Sequence, residues 1–157
     1  MLAKLGALFT ACVLALVGAL AGLAGAAAVG NACGLTTGPV VELDAEQAAS
    51  ARVIVAVGQQ RGIPAQGLLI ALMTAMQESG LRNLDYGDRD SLGLFQQRPS
   101  MGWGTPEQVR EPAYAAAAFY GGPASPTGNP GLLDVDGWEA MALTEAAQAV
   151  QRSAFPD

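Results

Sequence analysis

Glu78 is the one charged residue in an otherwise apolar stretch, Ala65 to Ser79, and a glycine follows that stretch. Read as a helix, the stretch places Glu78 at its C-terminal end. Burial disfavours an ionised carboxylate and the negative end of the helix dipole disfavours it further, so this carboxyl is expected to keep its proton near neutral pH and to act as a donor. Counting back along the same face gives Thr74 and Ala75, then Ala71 and Gly67, all small, which would leave room for a ligand over the carboxyl. Periodicity alone also allows a plain reading, a carboxylate at a helix end that simply reaches water.

A second group of residues lies shortly after. Ser91-Leu92-Gly93-Leu94-Phe95-Gln96-Gln97 sets two amides beside an aromatic ring, with Tyr86 and Trp103 on either side. Stacking faces mixed with amide donors and acceptors suit sugar rings better than an anionic nucleotide. Phe95 and Trp103 are equally readable as core residues anchoring the loop. Asp85, Asp88 and Asp90 do not follow the spacing of a calcium-binding loop and read as a solvated acidic turn paired with Arg89.

The elements that must position these groups follow from capping and periodicity. Asp44 with Gln47 forms a capping-box pattern that opens a first helix, which runs on past Ile54 and Gly58 to the turn at Arg61-Gly62-Ile63-Pro64. A second helix over about Ala65 to Ser79 is apolar nearly all round, which predicts burial, and Gly80 stops it. Leu81 to Thr105 has no helical period and reads as a long functional loop. Thr105-Pro106-Glu107-Gln108 starts a short helix, another spans Pro112 to Tyr120, and Pro123 to Gly137 is a loop. Thr144 is expected to cap a last helix running to about Ala154. The fold class expected is mostly α.

Composition narrows the chemistry. Of 157 residues none is histidine, which excludes Ser-His-Asp and Cys-His catalysis and the usual zinc sites; no metal and no cofactor is expected. Eight Lys and Arg against fourteen Asp and Glu, with Lys4 the only lysine, argue against nucleic acid as a partner. Leu5 to Val29 carries no charge and is long enough to span a bilayer, while Ala26-Ala27-Ala28 offers a cleavage point. Residues 1–33 therefore read as a cleavable signal or as a membrane anchor through residues 5–29. Either sends the remainder outward, to be secreted or held on the cell membrane facing out. A linker at 34–43 and one domain at 44–157 complete the organisation. The cysteines are Cys12 and Cys33, so the domain has no disulfide framework.

Ala71 to Asn83, ALMTAMQESGLRN, followed by SLGLFQQRPSMGWGT at 91 to 105, resembles the catalytic core of lytic transglycosylases of the lysozyme-like superfamily, most closely the actinobacterial cell-wall variety. The resemblance covers roughly Asp44 to Asp157 and includes the late run AAQAVQRSAFPD. It implies a mostly α, α+β lysozyme-like fold in which a long loop or small hairpin lines a glycan cleft. Glu78 matches the family's acid-base residue and Ser79 the serine after it. Ser91, Gly93, Leu94 and Gln96 match the cleft loop, and Tyr120 the tyrosine of the following helix. Gln97, Tyr86 and Trp103 complete the expected sugar-binding set. Many relatives carry a Tyr-Asn-Ala-Gly motif in a late helix, and none occurs here.

The implied substrate is the glycan strand of peptidoglycan, cut between N-acetylmuramic acid and N-acetylglucosamine. One carboxyl suffices for this reaction, because the sugar's own C6 hydroxyl closes on the anomeric carbon, whereas a hydrolase ordinarily needs a second carboxylate for water. Hydrolysis stays open at this stage, with an aspartate of the loop holding water. So does a non-catalytic module of the same fold that binds cell-wall glycan or serves an envelope machine such as a conjugation apparatus.

Overall fold

The structure is a computed structural model and describes residues 42–153. The apolar run at 5–29, both cysteines, most of the linker and the chain beyond Ser153 lie outside the described residues. Among those described, no helix is long and apolar enough to cross a membrane.

The fold is mostly helical. Helix α1, Ala45–Gln60, begins where the Asp44 side chain accepts from the Gln47 backbone N–H and the Gln47 side chain returns a bond to the Asp44 N–H. Helix α2, Ala65–Ser79, consists mainly of strong helix formers and is sealed by Gly80 in the left-handed conformation. The capping box of Thr105 and Gln108 opens the single turn α3, Pro106–Val109. Helix α4, Pro112–Tyr120, begins with its N1 proline under the Glu111 cap. Helix α5 spans Leu143–Ser153. Its first turn hangs from the Ala142 carbonyl, which accepts from Glu145 and Ala146, so Thr144 lies inside the helix and is not its cap. The segment expected as a plain loop from Pro123 to Gly137 contains a 3-10 turn at Leu132–Asp134, and a second at Trp138–Ala140 leads towards α5.

α2 is central, packed against α1, α4 and α5. Ile70, Ala71, Leu72, Met73 and Ala75 are buried from several sides at once, as an all-round apolar helix must be. Phe95 stacks on Phe119 with ring centroids 4.6 Å apart, pinning the long loop to α4. Tyr120 closes the α1–α4 seam by donating its hydroxyl to the Ile54 carbonyl at 3.1 Å. A smaller cluster gathers Trp103, Val109 and Ala118.

Candidate functional site

α2 delivers Glu78 to the edge of the core, and the way it ends determines what surrounds the carboxyl. Gly80 and Leu81 adopt φ of 64° and 60°, and both backbone N–H groups turn back to the last helical carbonyls. A left-handed leucine costs roughly 1–2 kcal/mol. Complete burial of its side chain, worth about 1.5–3 kcal/mol, offsets that cost. The chain then doubles back so that Leu92 and Gln97 form an antiparallel bridge, with N···O distances of 3.0 and 3.1 Å. This small hairpin is clamped to the helix end. The Ser79 hydroxyl lies 3.0 Å from the Ala75 carbonyl and 2.8 Å from that of Leu94, with one proton to share between them. Gly93 is required at the tip, because a Cβ there would stand 2.2 Å from the Val109 carbonyl oxygen.

Glu78 is half-buried, and desolvation raises its carboxyl above the usual glutamate range. Burial is the cause of that shift. Its Oε1 accepts from Gln151 Nε2 at 3.0 Å. Gln151 comes from α5 and was not among the residues expected at the site. The signal for it was present in the sequence: Gln151 stands four residues after the buried Ala147 and one after the buried Val150, a polar side chain on the inward face of an amphipathic helix.

The small-residue stripe running back from Glu78 is not an open groove. Ala71, Thr74 and Ala75 are at most 2% exposed. A Cβ on Gly67 would meet Trp138 at 3.1 Å and Leu132 at 3.5 Å, and Gln151 covers the other end of the stripe. Small residues here let α5 and the turns before it approach α2 closely. The stripe therefore offers a ligand no route to Glu78; at the end of α2 Ser79 holds the hairpin, which in turn bonds the Leu84 and Tyr86 carbonyls.

The remaining expected residues divide between surface and interior. Tyr86 is 68% exposed. Gln96 is half-buried with φ of 48°, and its Nε2 bonds the carbonyls of Tyr86 and Gly93 at 3.3 and 3.2 Å, so its amide holds the loop's own shape. Ser91 is mostly buried beneath the same segment. Gln97, Trp103 and Tyr120, expected at the sugar surface, are interior residues instead. Gln97 donates to the Ala115 carbonyl at 3.2 Å, Trp103 is packed in the smaller cluster, and burial raises the Tyr120 hydroxyl well above the usual tyrosine range. Side chains at that depth line the protein and not a ligand.

The acidic turn also differs from expectation. Asp90 pairs with Arg98 at 2.8 Å and accepts from the Ser100 backbone N–H at 2.7 Å and the Ser100 hydroxyl at 2.9 Å; its partner is not Arg89. The Ser100 N–H first, then Arg98, hold this carboxyl well below the usual aspartate range. Asp85 and Asp88 are exposed. Among the described residues no three His, Cys, Asp or Glu side chains are grouped to hold a metal ion.

Compared with family models, with curated proteins and with solved structures, the chain gives no match.

Proposed function

We propose that this chain is a lysozyme-like lytic transglycosylase that cuts peptidoglycan glycan strands between N-acetylmuramic acid and N-acetylglucosamine, with Glu78 as its single acid-base residue. The observation that carries the reading is the state of Glu78: a half-buried carboxyl, raised by desolvation and held by a neutral amide, next to the Ser79 that ties the hairpin to the helix end. A carboxyl raised by burial is displaced in the direction a general acid requires. Asp90, engaged by Arg98 and Ser100, is a poor second carboxylate for a hydrolytic water.

In the one-carboxyl route Glu78 gives its proton to the glycosidic oxygen as the bond to the anomeric carbon breaks. The muramic C6 hydroxyl then forms the new bond to that carbon, and its proton returns to the Glu78 carboxylate, leaving a 1,6-anhydro end. The substrate surface is proposed to comprise Glu78, Tyr86 and the partly exposed Gln96. Export by the 1–33 segment would bring the domain to its substrate.

The test is mass spectrometry of products released from purified sacculi. Anhydro-muramyl ends from the parent and none from Glu78→Gln are expected. Reducing ends would overturn the transglycosylase route in favour of hydrolysis, and the absence of any product would leave a glycan-binding module.

A further inference from the structure

Glu78 and Gln151 are 73 residues apart in sequence, yet their side chains meet at 3.0 Å across the α2–α5 contact. α5 is fixed against α2 by Ala146, Ala147 and Val150, each no more than 2% exposed, so the backbone that carries Gln151 is anchored by the residue directly before it. A protonated carboxyl has one oxygen that accepts and one that donates. An amide N–H pairs best with the oxygen that carries no proton. We propose that Gln151 is a positioning residue for Glu78: its amide keeps Oε1 as the acceptor in every protonation state, so that the transferable proton is carried on Oε2. This rests on the reading of Glu78 as the acid-base residue.

The choice of a neutral partner has a consequence. The reaction requires Glu78 first as an acid and then as a carboxylate, and the same Gln151 bond serves both forms, tightening when the acceptor is charged. The carboxyl need not turn between the two half-steps. A cationic partner would also fix the carboxyl but would pull it into the ionised state, as Arg98 helps to do to Asp90. The elements packed against α2 carry Glu145 and Arg152 on α5 and Glu46 and Arg52 on α1, while α4 carries no charged residue. Burial sets the direction of the Glu78 shift.

Two substitutions in the full chain separate positioning from simple packing. Gln151→Met keeps the length and removes the donor; Gln151→Lys keeps a donor and adds charge. The Glu78 carboxyl is followed by carbon NMR titration, assigned through Glu78→Gln, alongside the pH profile of sacculus cleavage. Gln151→Met should raise the Glu78 titration midpoint by about one pH unit and lower kcat about tenfold with KM unchanged. Gln151→Lys should shift the midpoint and the alkaline limb of the profile downward. A raised midpoint with a lowered kcat and unchanged KM in the Met variant is not expected of a residue that only fills space.

If both variants keep the parental midpoint and pH profile, the positioning role is overturned, whatever happens to stability. If the parent itself releases no glycan product, the functional reading fails, and the catalytic role of Gln151 fails with it. Where the Met variant does not fold, Gln151→Ala, which also removes the donor, decides the matter.

Discussion

Two carboxylates near the candidate site have been treated in opposite ways. Glu78, on the last turn of α2, loses water and gains one neutral amide, and its carboxyl is raised. Asp90, on the loop, keeps more solvent and gains a guanidinium, a backbone N–H and a hydroxyl, and its carboxyl is lowered. Desolvation dominates where charge is not compensated, and hydrogen bonding dominates where it is. One group is thereby suited to transferring a proton. The other is suited to remaining charged and holding Arg98 and Ser100 in place.

The largest effect expected from breaking this contrast is on cleavage. Glu78→Gln retains size and hydrogen-bonding shape but has no transferable proton, so cleavage of sacculi should fall by roughly 100-fold to 10,000-fold while glycan binding persists. Stability should hold or rise. An unfolded chain ionises this carboxyl near 4.3, whereas the folded chain keeps its proton to higher pH. Across that window the native state binds more protons, so this group's contribution to stability is present at low pH and is lost as pH rises through the folded value. The melting temperature of Glu78→Gln relative to the parent should therefore improve as pH is raised. Near-normal cleavage by Glu78→Gln would remove Glu78 from the chemistry.

The next effect is structural and concerns the loop's hidden anchor. Trp103 is 4% exposed and packs with Val109 and Ala118, so Trp103→Ala should cost about 3–5 kcal/mol in denaturant unfolding. Loss of glycan binding at full stability would contradict the interior placement.

These two residues also show how much was legible in the residues themselves. The caps at Asp44, Thr105 and Gly80 are local devices, written within a few residues of where they act, and Glu78 stands out in the sequence because charge on an apolar helix is rare. The small stripe from Gly67 to Thr74 was misread as open space because its lids, Trp138, Leu132 and Gln151, arrive from 65 or more residues away. Aromatic identity likewise does not reveal depth. Trp103 and Tyr86 look alike as sugar platforms, and only packing makes one core and the other surface. Thr144 fits a capping pattern, yet the helix begins ahead of it because the Ala142 carbonyl already accepts from two later N–H groups.

A smaller effect follows from Asp90. Its stabilising bonds require the ionised form, so their contribution is present above the unfolded value near 4 and is lost as pH falls below it. Asp90→Asn should melt below the parent at neutral pH, with the gap closing on acidification. The sign is opposite to that expected for Glu78, and thermal scans of both variants between pH 3 and 7 would display it. A gap that stays constant with pH would show that Asp90 acts through shape alone.

The smallest effect is expected at Tyr86. Its ring is 68% exposed, and the bond from Gln96 goes to its backbone carbonyl, which any residue supplies. Tyr86→Ala should therefore change stability by no more than about 0.5 kcal/mol. If the ring stacks on a sugar, its loss should remove about 0.5–1.5 kcal/mol of binding, roughly a 2-fold to 10-fold rise in KM with kcat nearly unchanged. Tyr86→Phe keeps the stacking face and should behave like the parent. Together with Trp103→Ala the pair sharpens the contrast between surface and interior, since one variant should weaken substrate capture in an intact fold and the other should weaken the fold itself. An unchanged KM for Tyr86→Ala would mean that the glycan path leaves Glu78 on the side away from the Leu84–Asp90 segment.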